Sequence, residues 1–158
     1  MYFIGIDASY TSTGLIVLDE DCKIIKQTTF KFNKKELDTE DRLHLVKEEL
    51  VNYVLNMHKN HQIKVCIEGP SFHSKGRYVL QMGALNFFIR YFFRIGGVCY
   101  KVLTPSELKK YVTGKGNSSK DLILLKVYKK WGVEFQDHNL ADSYGLARNI
   151  LEEYQNAE

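Results

Sequence analysis

Three carboxylates in this chain each stand where an apolar segment ends or turns, and a glycine- and lysine-rich loop lies between the second and the third. Asp7 belongs to IGIDASYTSTG (4–14), Glu68 to CIEGPSF (66–72), Asp142 to DHNLADSYGLA (137–147), and the loop is VTGKGNSSKD (112–121). Acids so far apart in the chain, yet placed alike in their segments, imply one site assembled by folding. Hard oxygen donors suit Mg²⁺ or Mn²⁺. A basic loop beside them suits a phosphate polymer, so the chemistry implied is metal-assisted phosphodiester hydrolysis.

The three acids differ in how strongly they argue for a site. Asp7 is followed by Ser9, Thr11, Ser12, Thr13 and Gly14, and an aspartate there serves equally well as a hairpin cap or as a ligand at a sheet edge. Glu68 ends a fully apolar strand, where a carboxylate is costly unless paired or bound to a cation. Asp142 sits among Ala141, Ser143, Gly145 and Ala147, small residues that let a helix press an acid against a sheet. Asn139 is three residues earlier on the same helical face, and Asp137 and His138 stand close by as further ligands or a base.

The elements that must position these residues are legible from periodicity. Residues 2–6, 14–19 and 23–32 form three strands, with a hairpin turn at Asp19–Asp21. Leu43, Val46, Leu50, Val54 and Met57 recur at helical spacing and predict a helix over 39–59. The continuous apolar run 63–68 predicts a central strand covered on both faces. The helix 76–95 is apolar nearly all round and must bury more than one face, in the core or against a second subunit. A strand over 97–103 follows, and Thr104-Pro105-Ser106-Glu107 opens a helix with a capping box and proline at its first position. Ser118 with Asp121 repeats the capping pattern before a helix over 120–131, and the last helix runs from near Asp137 to about Tyr154. The sum is a mixed α/β sheet with helices on its faces.

At 158 residues the chain, 1–158, is expected to form one domain. Its hydrophobic fraction of 44% describes a folded chain rather than a disordered one. Cys22, Cys66 and Cys99 are odd in number and lack CxxC spacing, so Cys66 and Cys99 are expected as buried free thiols in a reducing, cytoplasmic compartment. No signal peptide is apparent at MYFIGID, and Gln81, Asn86, Arg90 and Arg94 exclude a membrane span over 78–95. Eight lysines against Glu107 and Asp121 give residues 101–130 a charge of +6 in a chain of net +3, leaving −3 elsewhere. A basic lobe beside an acidic site fits an enzyme that grips phosphates with one surface and metal with the other.

These motifs together resemble the RuvC-type Holliday junction resolvases, within the RNase H-like fold. The matching stretches are IGIDASYTSTG, IEGPSF, LKKYVTGKGNSSKD and LADSYGLA, in the family's order and across nearly the full length. The lysine- and tyrosine-rich composition is in keeping with phage-encoded members. The resemblance implies a five-stranded mixed sheet with helices on both faces, acting on four-way junctions and other branched DNA in recombination and repair. It implies a metal set of Asp7, Glu68, Asp142 and the residue at 139, which is Asn139 here where the family usually has aspartate or histidine. It places Lys109 and Lys120 near the scissile phosphate, with Lys110 and Lys115 in the same basic window holding DNA, and Phe72 as an aromatic contacting bases at the junction centre. Gly69-Pro70-Ser71 between Glu68 and Phe72 departs from the family's local spacing.

The mechanism expected from this is hydrolysis with two ions, Mg²⁺ or Mn²⁺, roughly 4 Å apart, with Asp7 bridging them and Asn139 as the weak corner. The family acts as a homodimer, and helix 76–95 is the natural contact. Two other readings stand beside it. One is a non-catalytic or inactivated branched-DNA-binding protein of the same fold, which Asn139 favours. The other is a phosphotransferase of the actin and sugar-kinase type, which needs two domains closing over ATP and a glycine-rich adenosine site absent here.

Overall fold

The computed structural model describes residues 1–32, 37–70 and 76–157. Five strands form one mixed sheet in the order β3-β2-β1-β4-β5. They are β1 (Tyr2–Asp7), β2 (Ser12–Leu18), β3 (Ile24–Lys31), β4 (Ile63–Glu68) and β5 (Tyr100–Leu103). β1 pairs antiparallel with β2 and β2 with β3, whereas β4 runs parallel to both β1 and β5. The helices are α1 (Thr39–Leu45), α2 (Asn52–Asn60), α3 (Arg77–Ile95), α4 (Pro105–Thr113), α5 (Lys120–Trp131) and α6 (His138–Gln155). A π-helical turn, Val46–Val51, joins α1 to α2, so the expected helix over 39–59 exists with a widened middle.

Strand alternation sends successive side chains to opposite faces. Ile4, Ile6, Val65 and Ile67 pack with Val46, Leu50, Val54, Leu85, Ile89 and Phe93 on the face covered by α1–α3. Phe3, Ile16 and Cys66 pack with Leu108, Val127, Tyr144 and Leu151 on the face covered by α4–α6. Helices therefore lie on both faces, as expected of the RNase H-like architecture.

Four local expectations are corrected. The last strand begins at Tyr100 rather than 97, because Gly97 takes φ +73° and Val98 N–H bonds back to Phe93 at 2.9 Å, ending α3 before the strand can start. Cys99, in that connection, is exposed, while Cys66 is buried in β4. Ser119, not Ser118, caps α5 by accepting Leu122 N–H; Ser118 turns inward and donates to the Lys115 carbonyl. The fourth concerns α3, where the core covers a single face: Leu85, Ile89 and Phe93 fill the core while Leu80, Phe87, Tyr91 and Ile95 stay exposed. The Thr104–Glu107 capping box forms as expected.

Candidate active site

Asp7 is two residues beyond Gly5 and four beyond Phe3, so strand parity turns it toward α6. Glu68, two beyond Cys66, faces the same way. The parallel register Ile6↔Ile67 sets the two acids side by side at the ends of adjacent strands. α6 crosses this face closely because Gly5 and Gly14 present no side chain. An added Cβ on Gly5 would overlap the Ser143 carbonyl, and one on Gly14 the Asn139 carbonyl. Asp142, adjacent to Ser143, is thereby brought over the two strand-end acids.

The electrostatics follow from this crowding. Burial pushes Asp7 upward, against a hydrogen bond from Glu68 and the charge of Lys120. Burial, then the charge of Asp7, hold Glu68 well above the usual carboxylate range, although its side chain keeps an exposed edge. Burial and Asp7 raise Asp142 to about 7, with Lys120 and Lys109 opposing. Lys120 thus acts on all three acids from the first position of α5, where a cation opposes the helix dipole and Asp121 beside it compensates. Lys110 and Lys115 are exposed nearby in the chain.

Around the acids a polar frame fixes the loop after β1. Thr13 Oγ1 donates to the Ser9 carbonyl at 3.1 Å, and Ser9 Oγ accepts Ser12 N–H at 3.0 Å. Asn139 Nδ2 donates to Ser12 Oγ at 3.0 Å, tying the first turn of α6 to the hairpin. Asp137 is engaged as the cap of α6, accepting Asn139 N–H at 2.8 Å and the Thr29 hydroxyl at 2.9 Å. His138 Nε2 lies 3.6 Å from Asp121. Asp137 also adds its charge to Asp7 and Asp142, and His138 Nδ1 is buried with no hydrogen-bond partner among the described residues. Phe72 lies outside the described residues.

Two residues that sequence reasoning passed over belong to this frame. Ser143, fully buried, accepts Asp7 N–H at 3.2 Å and donates to the Asn139 carbonyl at 2.7 Å. Asn86, buried in α3, donates to the Glu68 carbonyl at 2.8 Å. An amide between Leu85 and Phe87, in the most apolar part of the helix, was the available signal.

The donor set fits a divalent cation by its chemistry. Burial and neighbouring carboxylates raise all three carboxyl groups, the mark of an acid cluster short of positive charge, and oxygen is the ligand Mg²⁺ and Mn²⁺ prefer. Among the described residues no three His, Cys, Asp or Glu side chains stand close enough to hold an ion as placed.

A mixed five-stranded sheet with helices on both faces and acids converging at the ends of β1 and β4 is the RNase H-like fold. No protein-family model matches the chain. The crossover junction endodeoxyribonuclease RuvC of Ehrlichia canis (strain Jake) is 23% identical over 164 residues, spanning 93% of this chain and 94% of that one. The Thermus thermophilus RuvC structure aligns with a TM-score of 0.77 at 18% identity, covering 99% of this chain and 97% of its own. The same protein in complex with a Holliday junction substrate aligns with a TM-score of 0.77, covering 99% and 94%. The resemblance to RuvC-type resolvases that the four motifs carry is therefore borne out over nearly the whole chain, in sequence and in fold.

Proposed function

We propose that the protein is a structure-selective endodeoxyribonuclease that resolves Holliday junctions or related branched DNA by paired, symmetric nicks. The observation that carries this reading is the convergence of Asp7, Glu68 and Asp142 with Lys120 at one end of the sheet. Asp7, Glu68, Asp142 and the Asn139 oxygen would hold the metal, Mg²⁺ or Mn²⁺, and two such ions when bound supply Lewis-acid charge for the attacking water and the leaving oxygen. Lys120 neutralises charge developing on the phosphate. Lys109, Lys110 and Lys115 hold backbone phosphates, an interaction that weakens steeply with salt.

Symmetric nicking needs two sites. The exposed Leu80, Phe87, Tyr91 and Ile95 recur along one side of α3, an apolar stripe suited to an isologous contact with a second copy. Free thiols fit a cytoplasmic setting, and among the described residues no helix is long and apolar enough to cross a membrane.

A second reading is a junction-binding protein that does not cut. The neutral amide at 139 favours it. Incubating the protein and its Asn139→Asp variant with a labelled four-way junction, with and without Mg²⁺ or Mn²⁺, decides between the two. Paired metal-dependent nicks by either protein support the resolvase; binding without cleavage by both supports the second reading. Loss of junction preference in both overturns the proposal. Asp7→Asn should abolish cleavage while sparing binding.

A further inference from the structure

We infer that Asn86 of α3 is a positioning residue for Glu68, fixing the aim of that carboxylate toward the metal through the peptide unit that follows it. The inference rests on the metal-dependent reading above and concerns a residue with no contact to the carboxylate itself.

Glu68 is the last residue of β4 and pairs with Leu103 of β5. Both polar groups of the peptide that follows it are occupied. Gly69 N–H bonds to the Leu103 carbonyl of β5 at 2.7 Å, and the Glu68 carbonyl accepts from Asn86 Nδ2 at 2.8 Å. Fixing a peptide plane by its N–H and its C=O fixes ψ of Glu68, and with it the direction of the side chain.

Asn86 is only 4% exposed. Because its partner is a carbonyl, which can only accept, the amide orientation is determined, and Oδ1 is left toward Arg90 Nη1 at 3.4 Å. A buried amide in an apolar helix costs stability unless it is bonded, so its placement is accounted for by the strand end it holds. Gly69 adds to the constraint, since a Cβ there would come within 2.8 Å of Val102 Cγ1.

The test uses Asn86→Leu, equal in size without the donor, and Asn86→Ala in case the first folds poorly. Mn²⁺ binding is read directly by calorimetry, junction affinity is measured in EDTA, and kcat is measured at saturating metal. Groups that orient ligands from behind are worth about 10–100-fold in metal affinity or activity. The expected result is a loss of Mn²⁺ affinity in that range and a lowered kcat, with junction binding in EDTA unchanged. In a Glu68→Ala background the same substitution should add nothing, because its effect passes through Glu68. Wild-type Mn²⁺ affinity in either variant overturns the inference, as does an undiminished additional loss in the Glu68→Ala background. Failure of the unsubstituted protein to bind Mn²⁺ at all instead overturns the metal-dependent reading on which it rests.

Discussion

Replacing Asp142 by asparagine should stabilise the metal-free protein while destroying its site. Asp142 is buried and its carboxyl is raised from an ordinary 3.8 to about 7 by burial and by the charge of Asp7. The folded chain therefore keeps this proton over a range where the unfolded chain has released it, and stability falls as pH rises from about 4 to about 7. Roughly three decades of proton affinity correspond to about 4 kcal/mol above pH 7. Asparagine keeps the shape and removes the ionisation, so Asp142→Asn in EDTA should gain about 2–4 kcal/mol at pH 8 and less than about 1 kcal/mol at pH 4. Urea denaturation of both proteins at the two pH values measures this difference. Adding Mn²⁺ should largely close the gap, because a cation bound only by the folded wild type at a hundredfold excess over its Kd contributes about 2.7 kcal/mol. Equal stability at pH 8, or the same gain at both pH values, would refute the account of a strained, cation-deficient acid cluster.

Gly14→Ala should cost about 3 kcal/mol, because the new methyl overlaps the Asn139 carbonyl and comes within 2.6 Å of Ser143 Oγ; thermal denaturation reads it. Lys110→Ala and Lys115→Ala should each weaken junction binding and flatten its salt dependence by about one in the log–log slope. Lys120→Ala should lower kcat far more than binding, by about tenfold or more, in single-turnover cleavage. Phe87→Asp with Tyr91→Asp should leave the fold intact by circular dichroism and yield a monomer by sedimentation, since both side chains are already more than half exposed.

Much of this architecture was legible because it depends on local pattern. The capping box at Thr104, the buried run of β4 and the helix over 120–131 need no knowledge of what lies across the fold. Asp7 and Glu68 were legible for a related reason, since a carboxylate ending an apolar strand is expensive wherever the strand goes, and Asp142 was marked by the small residues around it on its helix. What escaped was set by partners distant in sequence. Asn86 meets Glu68 across 18 residues and Ser143 meets Asp7 across 136, and nothing in either local sequence names the partner. Asp137 caps α6 and bonds the Thr29 hydroxyl, and His138 lies beside Asp121, neighbours that spacing alone does not name. Ser118 and Ser119 are equally good caps by residue type, and the inward turn of the former decided between them.

The close passage of α6 over Gly5 and Gly14 has a consequence for how this protein can change over time. The gap between Asp7 and Asp142 is gauged largely by main chain resting on main chain, with the small Ser143 side chain bridging the two elements. Interior positions away from this contact and from Asn86 can then be rewritten without recalibrating the site. Such a gauge leaves least room for drift at the two glycines and the serine, and most room in the bulk of the core.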